Sequence, residues 1–275
     1  MPSRRFPAAW LPGLAVSVCW LLPAAAGGPP LRASARAPAQ EPPARVACGA
    51  YEAVATGAVG SRPTRLLLQR QGRVMTTVTA YAIAAVSCDD VTGDGAPDLL
   101  ARTFSGGAHC CETVRVWSLG DKPRLVLDYA AGNAGGASAR DLDGDGRAEL
   151  LLGDDGLAYF DDLDYASSPS SLPLVACFAG ESFRDCTAEH PEALREAAAR
   201  FRERLDGSPA GAGRVRGAAL GFFAASLLLG QAAQAREDIR AVVQDEKLMA
   251  WLERAAPKLR VWADARGRKL KRSGS

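Results

Sequence analysis

Asp90-Val91-Thr92-Gly93-Asp94-Gly95-Ala96-Pro97-Asp98-Leu99-Leu100 and Asp141-Leu142-Asp143-Gly144-Asp145-Gly146-Arg147-Ala148-Glu149-Leu150-Leu151 are two copies of one pattern, their first residues 51 positions apart. Both read D-x-[DT]-G-D-G-x-x-[DE]-L-L. Positions 1, 3, 5 and 9 of each copy offer side-chain oxygens: Asp90, Thr92, Asp94 and Asp98, then Asp141, Asp143, Asp145 and Glu149. Position 7, Ala96 or Arg147, offers its backbone carbonyl. Alternate acids in a tight loop converge on one point, which suits a hard cation such as Ca2+ that takes several oxygen ligands. The glycine after position 5 lets the chain turn where a side chain would be strained. Without a cation, the four carboxylates of the second copy repel one another. Solvated turn acids are the competing reading, and they account for one such loop more readily than for two in register. The first copy has Thr92 in place of a carboxylate, so weaker binding is expected there. The side chain of Arg147 is expected to point outward.

These are not EF-hands. That motif requires a bidentate acid at position 12, which here is Ala101 or Leu152, and helices on both sides. Working outward, residues 46–187 read as strands: RLLLQRQ, RVMTTVTAY, PDLLART, ETVRVWSL, RLVLDYA, AELLLG and LAYFD are short β-prone runs bounded by Gly, Asp or Pro. The period becomes helical over 188–265, where Pro191 and Glu192 form a good helix entry. The run Gly217–Gly230 is apolar on nearly every side but shorter than the about 20 residues needed to span a bilayer, so a buried helix is expected. Arg236–Gln244 can return as the second arm of a helical hairpin. The basic tail 266–275, RGRKLKRSGS, has no apolar periodicity and reads as solvated and frayed. The fold class is α+β: an N-terminal β domain followed by a helical segment.

Residues 1–26 have a positive start at Arg4 and Arg5, an apolar middle, and Ala24-Ala25-Ala26 as a small-residue end. Those are the parts of a secretory signal, and cleavage is expected before Gly27. N-terminal sequencing of the exported protein should therefore begin near Gly27; a chain that still starts at Met1 would mean an uncleaved anchor. Residues 27–45 are Pro-, Ala- and Gly-rich and read as a disordered linker. Without residues 1–26 the net charge falls from +2 to 0, and seven cysteines become six. An even number in an oxidising compartment points to disulfides. Cys177 with Cys186 is the nearest plausible pair. Charge is uneven: residues 27–188 hold 14 basic and 20 acidic side chains, whereas 189–275 hold 17 and 11. A cation belongs in the acidic half.

The two loops, each running directly into an apolar strand, resemble the FG-GAP and VCBS repeats on Asp90, Thr92, Asp94 and Asp98 and on Asp141, Asp143, Asp145 and Glu149. The resemblance covers roughly residues 85–165. It implies calcium loops joining the strands of propeller-blade-like units, in exported proteins of adhesion, recognition or scaffolding. A closed propeller has about four to eight blades, and two clear copies imply a partial or open β domain covered by the helices.

Ser105–Cys111 also resembles a segment of uncharacterised bacterial secreted proteins, which implies no activity. A thiol or metal site at His109, Cys110 and Cys111 competes with a glycine loop whose two cysteines are oxidised to distant partners, Cys48 and Cys88 being those left over. Export and the even number favour the second. His190 reads as solvated, and Asp154, Asp155, Asp161, Asp162 and Asp164 as a solvated rim. No nucleophile motif, phosphate loop, zinc spacing or nucleic-acid pattern appears elsewhere. The expectation is a non-catalytic calcium-binding module of the periplasm, envelope or exterior, without a membrane span after signal cleavage, whose partner is a protein or a surface glycan. A cysteine-dependent redox enzyme or a hydrolase is the alternative.

Overall fold

The leucine pairs that follow the two acidic loops set the layers of the fold. Successive strand residues face opposite sides. Leu99 and Ala101 accordingly pack with Leu66, Leu68 and Trp117, while Leu100 packs on the other side with Val114, Leu127, Leu150 and Leu174. A strand buried on both faces implies a sheet sandwiched between two others. The computed structural model describes residues 45–56, 64–107, 111–207 and 212–272, and it has that arrangement.

Three four-stranded antiparallel sheets follow one another along the described chain, each formed by consecutive strands. The first holds β1 (Arg45–Cys48), β2 (Tyr51–Thr56), β3 (Thr64–Arg70) and β4 (Arg73–Ala80). The second holds β5 (Ala82–Asp89), β6 (Asp98–Phe104), β7 (Glu112–Leu119) and β8 (Pro123–Gly132). The third holds β9 (Ala137–Arg140), β10 (Glu149–Asp154), β11 (Leu172–Ala179) and β12 (Ser182–Asp185). The sheets do not close into a propeller. A whole sheet is built from the segment before the first acidic loop, which the sequence had offered only as two strand runs. LAYFD is not a strand. Tyr159 and Asp161 take positive φ, and the amides of Ala158 and Phe160 donate to the carbonyls of Asp155 and Leu157 at 2.7 and 3.3 Å, forming successive turns that drop Leu157 into the helical core.

Four helices follow: α1 (Pro191–Gly207), α2 (Ala212–Leu228), α3 (Ala232–Val243) and α4 (Glu246–Ala265). Pro191 opens α1, where its missing N–H costs nothing. Asp245 caps α4, accepting from the amides of Lys247 and Leu248 at 2.8 and 3.2 Å. α2 is the buried helix that its composition predicts, with Leu220, Phe223, Ala224 and Ala225 almost wholly enclosed. Phe201 of α1 lies so near Gly221 that a Cβ there would fall 2.5 Å from its ring. Among the described residues no helix is long and apolar enough to cross a membrane. The described strands and helices belong to one compact unit.

Disulfides join Cys48 to Cys88 (Cα–Cα 5.6 Å) and Cys177 to Cys186 (Cα–Cα 5.8 Å). The second is the pair expected. The first corrects the expectation that Cys48 and Cys88 would be partners of Cys110 and Cys111. β1 and β5 lie against each other where the first two sheets meet, so their cysteines reach one another directly. Cys111 is also disulfide-bonded. His109 and Cys110 lie outside the described residues, as do the signal segment 1–26 and linker residues 27–44.

The C-terminal tail is a second correction. Residues Arg266–Arg272 form a 3-10 helix packed on β8 and β12. Leu270 enters the core shared by the second and third sheets, and Arg266 is buried with its Nε 2.9 Å from Asp154 Oδ2. Of the expected rim of acids, Asp161, Asp162 and Asp164 are exposed, and the correction concerns Asp154. Asp154 is buried against Arg266. Asp161 accepts from Trp251 Nε1 and Lys258 Nζ, each at 2.9 Å, and Asp162 pairs with Arg216. Asp155 accepts from the Asn133 amide, and Asp164 from that of Ser167. Asp161 and Asp162 thereby tie the β10–β11 connection to α4 and α2.

Candidate metal centre

Each acidic loop joins the first strand of its sheet to the second: Asp90–Asp98 lies between β5 and β6, and Asp141–Glu149 between β9 and β10. The corresponding turn in the first sheet, between β1 and β2, is only Gly49-Ala50 and carries no acid. Within each loop the backbone is folded by its own carboxylates. Asp90 accepts from the amides of Gly93 (2.7 Å), Asp94 (3.2 Å) and Gly95 (2.8 Å). Asp141 likewise accepts from Gly144 (2.7 Å) and Gly146 (3.0 Å). Asp94 accepts from the Ala96 amide at 2.9 Å and Asp145 from the Arg147 amide at 2.8 Å. Position 9 closes each loop. Asp98 Oδ2 accepts from Val91 and Thr92, and Glu149 Oε2 from Leu142. The two copies therefore share most of their hydrogen-bonding pattern as well as their sequence, although the Asp145 amide donates to Asp143 where that of Asp94 donates to Asp90.

The loops differ in what is left over. Asp98 is fully buried, and its Oδ1 and the Thr92 hydroxyl have no hydrogen-bond partner. A buried oxygen with nothing to bind costs about 1–3 kcal/mol, so a cation is a chemically apt occupant. Burial pushes the Asp98 carboxyl above the usual carboxylate range, against the pull of the Thr92 and Val91 amides. The Thr92 side chain also favours the charged form. In the second loop Asp141, Asp143 and Asp145 are exposed, and one oxygen from each falls within 4.8 Å of the others. The donor sets, all oxygen, fit Ca2+. Asp90, Thr92, Asp94 and Asp98 would hold it in the first loop and Asp141, Asp143, Asp145 and Glu149 in the second. The carbonyls of Ala96 and Arg147 stand at position 7.

Two neighbours of the loops were not foreseen from the sequence. The Arg147 side chain does not simply project outward. It lies over the first loop, where a Cβ built on Gly93 would be 2.9 Å from Arg147 Cδ. Gly93 also has φ +72°, so Gly93→Ala should cost about 1–2 kcal/mol through the left-handed backbone alone. Displacement of Arg147 should add to this, and a denaturant midpoint would read the sum. His190, expected to be solvated, is 5% exposed. A ligand-capable nitrogen of its ring falls within 4.8 Å of oxygens of both Asp143 and Glu149. Nothing in the sequence separates a solvated histidine before a helix from one turned inward by the preceding chain.

Comparison of the chain with protein-family models, with curated proteins and with solved structures finds no match to any of them.

Proposed function

We propose that this chain is an exported calcium-binding β-repeat protein, a non-catalytic binding or scaffold module of the envelope or exterior. Its three consecutive meanders are read as blade-like units in an open arrangement, related to FG-GAP and VCBS repeats and covered by the helices. The observation that carries the reading is the pair of unpartnered buried oxygens, Asp98 Oδ1 and Thr92 Oγ1, inside a loop whose hydrogen bonding the second loop repeats. The disulfides fit an oxidising compartment. Calcium here stabilises the turns that fix β6 and β10, and the partner is a protein or a surface glycan.

The test is equilibrium dialysis of the mature protein against Ca2+. Two sites of unequal affinity are expected, the tighter lost in Asp145→Ala and the weaker in Asp94→Ala. Mg2+ should compete poorly, because it requires a small octahedral shell that such loops do not impose. Absence of calcium binding in the wild type would defeat the proposal.

A further inference from the structure

A second donor set of different chemistry lies next to the second loop. Cys177 on β11, Cys186 just beyond β12, and His190 just ahead of α1 bring two sulfurs and an imidazole nitrogen within 4.8 Å of one another. The backbone that carries them is tightly fixed. The Glu189 amide donates to the Cys186 carbonyl at 2.8 Å, and the His190 amide to that of Thr187 at 3.2 Å. Thr187 is anchored in turn, its hydroxyl accepting from the Val175 amide at 2.9 Å. A three-residue spacer between Cys186 and His190 is thus held as a turn, with both side chains aimed inward at Cys177. Cys186 and His190 are 1% and 5% exposed, whereas Cys177 is half-buried.

We propose that Cys177, Cys186 and His190 form a redox-gated site for a zinc-class divalent ion, closed while the disulfide stands and opened by its reduction. The geometry is the argument. A tetrahedral ion with ordinary zinc–sulfur and zinc–nitrogen bonds separates a thiolate from an imidazole nitrogen by about 3.6 Å. Cys177 Sγ and His190 Nε2 stand 3.7 Å apart. The disulfide holds the sulfurs too close together to share an ion, and its cleavage lets them part without moving Cα atoms only 5.8 Å from each other. Two thiolates and one imidazole suit zinc and not calcium, so this site and the acidic loops take different ions. Three protein ligands leave a fourth position for water.

The opening step is thiol–disulfide exchange with a dithiol reductant. Its thiolate attacks the sulfur of Cys177, the less buried of the two cysteines, and Cys186 leaves as a thiolate and takes up a proton. The second thiol of the reductant then resolves the mixed disulfide, releasing Cys177. The protein gains two electrons and two protons, and the reductant departs as a disulfide. An incoming divalent ion displaces both thiol protons and accepts a lone pair from neutral His190. In the reverse direction a disulfide oxidant is attacked by one of the thiolates, the second thiolate resolves the mixed disulfide to re-form the Cys177–Cys186 bond, the oxidant leaves as a dithiol, and the ion is released.

Cobalt(II) is the probe, because thiolate ligation gives a charge-transfer band that carboxylate ligation does not. The oxidised full chain should show no such band. After reduction by a phosphine, which supplies no thiolate, an equimolar amount of cobalt should produce it and zinc should abolish it. Cys48→Ser/Cys88→Ser should keep the band and Cys177→Ser should lose it. His190→Ala retains both cysteines and should bind cobalt more weakly by more than the roughly 10–100-fold cost of losing a group outside the ligand shell. Should Cys177→Ser not fold, His190→Ala decides alone. A reduced chain with no band, a band surviving Cys177→Ser, or wild-type affinity in His190→Ala would each overturn the proposal. Calcium dialysis of the oxidised protein is unaffected by any of these results, so the site and the acidic loops are judged separately.

Discussion

Arg266→Ala should destabilise the protein by about 3–5 kcal/mol, the usual consequence of removing one partner of a buried ion pair. Arg266 and Asp154 each have only 2% of the side chain exposed, and they meet at 2.9 Å. The guanidinium also donates to the Pro173 carbonyl and lies over the Trp262 ring, 5.1 Å from its centroid. It therefore ties β10, β11 and the end of α4 together. Truncation to alanine leaves the Asp154 charge in the core without that counter-ion. The double variant Arg266→Met/Asp154→Leu removes both charges and should recover most of the loss, because well-packed apolar groups replace a buried pair at little cost. Leu270→Ala, four residues further along the same 3-10 helix, should cost about 2–5 kcal/mol by emptying a side-chain volume between β8 and β12. Urea midpoints at constant slope would measure all three. A tail that is merely solvated predicts changes within about 0.5 kcal/mol for each, the range of ordinary surface substitutions.

That tail marks the limit of what the sequence discloses. RGRKLKR carries one leucine among five basic residues, and no local period separates a frayed end from a strap with one anchor. What buries Leu270 is a gap between sheets, made by residues more than 80 positions away. The first sheet was half-hidden for a related reason. β2 (YEAVAT), like β5 (AIAAVSCD) of the second sheet, is built largely from small residues, and alanine is no strand signal until a neighbouring layer covers it. LAYFD has strand-like composition, yet it turns because Leu157, Leu163 and Leu172 are drawn into the helical core. By contrast, Pro191 as a helix entry and the buried run of α2 were legible, since capping and all-round apolarity are local properties. The candidate calcium ligands were legible by spacing alone. Their surroundings were not: Arg147 over Gly93, and His190 turned toward Glu149, arise only when separate turns meet.

Asp98→Asn should change stability in opposite directions with and without calcium. In chelator the buried Asp98 carboxyl has its proton affinity raised above the ordinary value of 3.8 by burial. For an acid so raised, the contribution to stability is present below the unfolded-state pKa and is lost as pH rises through the folded-state one. At neutral pH the cation-free loop thus bears the cost of a charged group that would fold more readily neutral. Asparagine is neutral at every pH. Its carbonyl can keep the bonds from Val91 and Thr92, now at 3.0 and 2.8 Å to Asp98 Oδ2. Its amide can donate to the Thr92 oxygen that now has no partner. Asp98→Asn should therefore raise the melting temperature in chelator at pH 7, and this gain should vanish as pH falls below the carboxylate range. In saturating calcium the order reverses. The wild type gains about 2.7 kcal/mol at a hundredfold excess over the dissociation constant, while the variant, missing a carboxylate, forgoes most of it. Melting curves of both proteins in calcium and in chelator, at acid and neutral pH, contain the whole test. If Asp98→Asn lowers stability equally with and without calcium, Asp98 is a backbone cap and the first loop holds no cation.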